Sequence, residues 1–279
     1  MTFQASFNCL WCGRPYQTRS GQDIEGFALL CPDCVGRAQD NEFLRFRLRQ
    51  GLEARAAASR TSDPDESMRR YYAARAPEYD EAYTRQDPLI KLAWDADLDQ
   101  ATLWLDRLPV EGEIVELAAG TGWWSPLLAQ KGELWLYDIN EEPLELARER
   151  LLAHGLRAHI HIRDAWAEPD RRVDALFTGF WLGHVGRARL GDFLDLCRRW
   201  LKRGGRFAFI DEQPDPAYTP TADDMQLRRL ADGREFTIPK VYYTPEEVDE
   251  AMRRAGFGGV KVETTSRFFL LGQGEAPSE

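Results

Sequence analysis

No stretch of this 279-residue chain approaches the roughly eighteen consecutive apolar residues that mark a membrane-spanning helix. Its first residues, MTFQASFNCLWCG, lack the basic start and apolar run of a secretory signal. Internal repeats and low-complexity tracts are missing as well, so the chain is not a repeat array. Basic charge is in short supply. The 36 Lys and Arg residues face 46 Asp and Glu, a net charge of -10 that argues against a chain gripping nucleic acid over its whole surface. These absences give the expectation of a soluble, cytoplasmic protein with no membrane partner.

Cysteines are few, yet four of the five form two Cys-x-x-Cys pairs. In a reducing compartment that arrangement suggests metal before disulfides. The spacing Cys9-x2-Cys12-x18-Cys31-x2-Cys34 is that of a four-thiolate zinc ribbon, with Gly13 and Pro32 suited to tight turns. Four protein ligands would make the zinc structural. The redox alternative, a thioredoxin-like Cys-x-x-Cys, lacks its strand-helix context here.

Hydrophobic residues at 43% and aromatics at 11% suffice for a sizeable core. The length points to one large domain with a small appendage. Residues 1–36 read as the ribbon, 37–66 as a helical linker and 67–279 as the main domain. The linker holds a helix expected from Ala38 to about Ala58, followed by TSDPDES. Residues 1–60 hold eight Arg and six acidic residues, a balance of +2, whereas residues 67–279 carry -9.

From Ile114 onward, short apolar runs alternate with helical patterns, the signature of strand-helix units and a parallel sheet. EIVEL, LWLYD, AHIHI, VDALF and RFAFID read as strands, and VKVETT and RFFLLG bring the sheet to about seven. NEEPLELARERLLAHG reads as a helix with Asn140 as N-cap and Gly155 past its end. LGDFLDLCRRWLKRGG reads as a second helix with a glycine stop, holding Cys197 in its apolar pattern, and EEVDEAMRRAG as a third. LADGREFTIPKVYY reads as a strap able to close over a substrate.

The stretch IVELAAGTGWWSPLLA runs from a strand through Gly120 and Gly122 into a helix starting near Ser125. Such a turn aims backbone N–H groups at a ligand, and ligands of doubly wound sheets bind at this edge. Asp138, ending the next strand, is placed to accept both hydroxyls of a ribose. The nicotinamide-cofactor pattern Gly-x-Gly-x-x-Gly fails, because Ser125 stands at its third glycine.

With Glu116-Leu-Ala118-Ala-Gly120-Thr-Gly122 as its first motif, the chain resembles the class I S-adenosylmethionine-dependent methyltransferases over residues 67–279. The resemblance implies a Rossmann-like seven-stranded α/β sheet and S-adenosylmethionine as cofactor. Ala118 takes the first glycine position, a site that tolerates a small side chain. Asp138 with Ile139 would hold the ribose, and Asp164, Ala165 and Trp166 would frame the adenine. Tyr79, in the lid-like segment YYAARAPEYDEAY, would lie near the methionine end.

Plainer roles stand beside these. Asp138 could start a helix, Asp164 could merely end its strand, and Tyr71 and Tyr72 could be helix packing. Trp123 and Trp124 could pack the first helix on the sheet. In DALFTGFWLGHVG, Phe180, Trp181 and His184 sit where this fold places substrate. His184 is the candidate general base if the acceptor must lose a proton, its alternative being a histidine bonded within the loop. Asp211 and Glu212 are further candidates at the same edge. The expected function is methyl transfer to an oxygen or nitrogen of a small molecule. The alternative is methylation of a ribosomal-RNA base with the ribbon recognising substrate, which the acidic balance disfavours. A cofactor-binding scaffold without turnover is a third reading. The oligomeric state is not legible.

Overall fold

The computed structural model describes residues 6–8, 14–17, 31, 33, 34, 36, 64–84, 90–215 and 225–278. The chain forms two compact units, Met1–Ser62 and Asp63–Glu279. In the first, β1 (Ser6–Asn8) and β2 (Pro15–Gln17) pair antiparallel with Phe7 opposite Tyr16. Cys31 and Cys34 are buried, and the Cys34 amide donates to the Cys31 carbonyl at 2.9 Å. Cys9, Cys12 and the helix expected over 38–58 lie outside the described residues.

The second unit begins with α1 (Pro64–Arg75), a 3-10 segment (Ala76–Ala82) and α2 (Lys91–Arg107). There follow β3 (Gly112–Leu117), α3 (Ser125–Ala129), β4 (Gly132–Asp138), α4 (Glu141–Ala153), β5 (His159–Ile162), β6 (Val173–Gly179), α5 (Leu190–Trp200) and β7 (Leu201–Glu212). The chain ends with a hairpin of β8 (Met225–Arg229) and β9 (Glu235–Pro239), then α6 (Pro245–Arg254), β10 (Gly258–Thr264) and β11 (Phe269–Glu275). All seven expected strands join one sheet, in the order β10-β11-β7-β6-β3-β4-β5. β5, β4, β3, β6 and β7 run parallel, and β11 and β10 add antiparallel at one edge.

Both faces of this sheet are covered, as parallel strands require. The alternation of side chains along a strand divides the core in two. In β4, Leu134 and Leu136 join one cluster with Leu105, Leu128 and Leu151, while Trp135 and Tyr137 join the other with Phe193 and Trp200. In β7, Ala208 and Ile210 face the first cluster, and Phe207 and Phe209 the second. Burial of each such large side chain contributes roughly 1.5–3 kcal/mol. Helix α5 shows why it lies flat on the sheet: Leu190, Phe193, Leu194, Cys197 and Trp200, spaced along one face, are all buried.

Three local expectations need correction. Asn140 occupies the N-cap position of α4 but makes no side-chain cap bond. Its amide instead donates to Asp138 Oδ1 at 2.9 Å. Helix α5 ends at Trp200 and not at the glycines, because buried Leu201 pairs with Val173 in the sheet and so turns the chain extended at once. The strap from Leu230 to Tyr243 is mostly the turn and second strand of the β8-β9 hairpin, which packs on α1 through Met68, Tyr71, Leu230 and Ile238. Gly155, at φ 70°, does follow α4, and Cys197 is core. No helix among the described residues is long and apolar enough to cross a membrane.

Candidate active site

At the C-terminal edge of the parallel strands lies a cavity of about 320 Å³. Tyr79, Ala118, Gly120, Asp138, Ile139, Asp164, Ala165, Trp166 and His184 all line it, together with Phe180 and Trp181. Glu116 and Gly122, also expected there, do not. Glu116 is buried one layer behind and accepts a 2.5 Å hydrogen bond from Ser125 Oγ, tying β3 to α3. Burial pushes its carboxyl up to about 8. Gly122, at φ 69°, has no room for a side chain: a Cβ would lie 2.7 Å from that of Ala147 in α4. Its role is to let two elements pack closely, and of the two glycines of the turn Gly120 lines the cavity.

Two non-glycine residues of the described chain adopt positive φ, Ala118 at 50° and Phe180 at 57°. Both line the cavity. Such backbone costs on the order of 1–3 kcal/mol and clusters at functional sites. Asp138, at the tip of β4, accepts the Gly120 amide at 3.0 Å and the Asn140 amide at 2.9 Å through different oxygens. Burial raises its carboxyl to about 6, with these two amides acting in opposition. Asp164 opens the next turn, its Oδ1 accepting the Trp166 amide at 2.9 Å.

The 3-10 segment is fastened over the glycine turn. Asp80 accepts from Thr121 Oγ1 at 2.6 Å and pairs with Arg150, which also donates to the Thr121 carbonyl at 3.0 Å. Tyr83 stacks flat on Trp123 with ring centroids 4.2 Å apart. Trp123 therefore holds the lid segment, whereas Trp124 is core.

His184 is buried with both ring nitrogens engaged. Nδ1 lies 2.6 Å from the Pro239 carbonyl and Nε2 lies 2.7 Å from Tyr72 Oη. A carbonyl only accepts, so Nδ1 carries the proton and Nε2 receives that of Tyr72. Burial, reinforced by Lys240, pushes His184 down to about 3. Its partners lie outside its own loop, on α1 and at the end of β9, so it is not bonded within the loop, and its single lone pair is occupied by Tyr72 in place of a substrate proton. Tyr72 is correspondingly more than helix packing.

Sequence reading places Lys240 in the strap but assigns it no role. Its ammonium is buried 3.0 Å from Glu212 Oε2 and 3.5 Å from Asp211 Oδ1, and Asp211 also accepts the Gly183 amide at 2.8 Å. Asp211 and Glu212 are thus engaged in holding the hairpin exit against the loop after β6. One local signal was available, a lone lysine within the apolar run TIPKVYY.

Comparison with known proteins bears on the family. The methyltransferase-domain family model matches residues 114–205. The ubiquinone/menaquinone biosynthesis C-methyltransferase UbiE of Azotobacter vinelandii is 34% identical over 118 residues, 39% of this chain, which there spans about half (46%) of the relative's length. UbiE of Chromobacterium violaceum is 26% identical over 57% of this chain and 72% of its own. DhpI, solved with SAM and HEP, superposes with a TM-score of 0.63 at 30% identity, covering 77% of this chain and 99% of DhpI. Its SAH complex gives 0.62 at 29% identity, over 77% of this chain and 97% of DhpI. The nearly complete correspondence to DhpI, the matched domain and the shared sheet lead to one conclusion: the chain belongs to the class I S-adenosylmethionine-dependent methyltransferases.

Proposed function

We propose that the protein transfers a methyl group from S-adenosylmethionine to an oxygen or nitrogen of a small-molecule acceptor. The observation that carries this is the buried Asp138 carboxylate facing the cavity beside the Gly120 turn. In this reading Asp138 and Ile139 hold the ribose, Asp164, Ala165 and Trp166 frame the adenine, and Ala118, Gly120 and Tyr79 border the methionine end. Glu116 and Gly122 act from behind, shaping the turn. The buried indole Nε1 of Trp181, which has no hydrogen-bond partner within the described residues, supplies a donor at the cavity wall. The cofactor supplies an activated methyl on a sulfonium, so the protein's work is positioning and exclusion of water. A small acceptor is supported by the acidic main domain and by relatives named for quinone biosynthesis.

The proposal extends to the N-terminal unit. Cys9, Cys12, Cys31 and Cys34 hold one structural zinc, a reading supported by the spacing and by the burial of Cys31 and Cys34. Residues 1–36 then act as the ribbon, 37–66 as a linker and 67–279 as the catalytic domain, in a cytoplasmic setting where thiols stay reduced.

Asp138→Ala should weaken S-adenosylhomocysteine binding by about ten- to a hundredfold, the loss of charge-assisted bonds worth roughly 1.5–3 kcal/mol. Titration calorimetry measures it, and unchanged affinity would remove Asp138 from the site. Wild-type affinity should also depend on pH. Ribose hydroxyls donate to the ionised carboxylate, so binding should be level above pH about 6, where Asp138 is charged, and weaken as protonation sets in below it. In Asp138→Ala that slope should vanish. The acceptor class follows from incubating protein, labelled cofactor and cell extract, then separating RNA, protein and metabolites. Label in RNA would overturn the small-molecule reading.

A further inference from the structure

A second, smaller cavity of about 170 Å³ adjoins the first. Tyr72, Tyr79, Phe180 and His184 belong to the walls of both, so a molecule in one borders directly on the other. Its far side differs in chemistry, with Arg75 from the end of α1, Arg228 from β8, and Lys240 beside Glu212.

The charges there do not balance. Lys240 has two carboxylates beside it, Glu212 and Asp211, so the three cations Lys240, Arg75 and Arg228 exceed the carboxylates by one. The Arg75 guanidinium lies 5.6 Å and 5.1 Å from the ring centres of Tyr71 and Tyr79, contacts with neutral rings that bring no counter-charge. Neither Arg75 nor Arg228 has a carboxylate partner among the described residues. Two half-buried guanidiniums at one small cavity repel each other, and an uncharged occupant would leave that cost standing. Tyrosines complete the wall. Burial pushes Tyr72 and Tyr83 well up and Tyr79 to about 12, so all three remain protonated phenols, the proton of Tyr72 being given to His184.

We propose that this cavity binds a small oxyanion, a carboxylate or phosphate-type group of the methyl acceptor, through the guanidiniums of Arg75 and Arg228. Forked donors suit such groups in a way that a point charge does not. The assignment rests on the cofactor reading of the neighbouring cavity, and it accounts for the state of His184. An oxygen that arrives ionised has no proton to lose on methylation, so the site needs no base, and His184 is free to serve as a fixed acceptor for Tyr72.

The test uses the full-length protein, with and without saturating S-adenosylhomocysteine. Inorganic phosphate, acetate and the uncharged acetamide are titrated separately, followed by NMR line broadening of each probe. Phosphate or acetate should bind and acetamide should not, the preferred anion telling a tetrahedral from a planar group. Arg75→Gln and Arg228→Gln should each weaken the anion by about tenfold or more while S-adenosylhomocysteine affinity stays put. Arg228→Lys, which keeps the charge without the fork, should fall between. Neither anion binding, acetamide binding as well as acetate, or anion affinity indifferent to both arginines would each overturn the assignment. The comparison of acetate with acetamide needs no variant, so it decides even if a substitution unfolds the protein. Failure of S-adenosylhomocysteine to bind the wild type would strike the cofactor reading instead.

Discussion

Purified protein should carry one zinc per chain, and Cys9→Ser or Cys31→Ser should release it. Residues 1–35 are too short a segment to bury a large core of their own, and ordering each residue costs on the order of 1–2 kcal/mol in backbone entropy alone. Structural zinc contributes roughly 10–16 kcal/mol in zinc-finger peptides near neutral pH, enough to offset such a deficit. Proteolysis of either variant should therefore begin within the first unit. Asp138 and the glycine turn belong to the other unit, Asp63–Glu279, so S-adenosylhomocysteine binding should survive. Metal analysis finding no zinc, with all four thiols titratable in the native protein, would end the ribbon reading.

Lys240→Met should destabilise the main unit by about 3–5 kcal/mol, the usual cost of stranding buried charges by removing their partner. For a domain of this size that lowers Tm by on the order of 10 °C. Lys240 is 3% exposed and sits between two carboxylates, one of which, Asp211, is itself buried and already raised by that burial. The sign of the pH dependence separates this cause from a packing defect. Without the ammonium, both carboxylates hold protons more tightly in the folded than in the unfolded chain. Their protonated forms then favour folding below the unfolded carboxylate pKa, and that contribution is lost as pH rises through the folded value. The difference between wild type and variant should accordingly shrink toward acid pH. Differential scanning calorimetry across pH 5 to 8 (about the range of best stability) checks it, and a pH-independent deficit would assign the effect to packing.

The strands were legible because a strand buried on both faces writes its burial into consecutive residues. EIVEL, LWLYD and VDALF are read without knowing what lies across from them. The cavity lining was legible for a related reason: Ala118, Gly120 and Asp138 occupy strand exits, and position along the chain fixes position at the sheet edge. The rest depends on partners distant in sequence. Tyr72 and His184 meet across 112 residues, and no local pattern announces the meeting. Gly122 illustrates a subtler limit. A glycine that admits a ligand and one that admits Ala147 look alike until α4 is in place. The glycine stop expected after α5 failed because pairing of Leu201 with Val173 outweighs local helix preference.

The wall shared by the two cavities has a consequence for how such a protein diversifies. The segment that matches the general family, residues 114–205, contains most of the residues proposed to hold the cofactor: Ala118, Gly120, Asp138, Asp164 and Trp166. Arg75, Glu212, Arg228 and Lys240 all fall outside it, on the flanks before and after. On the two proposals above, the donor and acceptor ends thus fall largely in different parts of the sequence. Exchange of Arg75, Arg228 and their neighbours in the flanks, with the shared wall of Tyr72, Tyr79, Phe180 and His184 kept, is a route to altering acceptor choice while the proposed donor end is inherited.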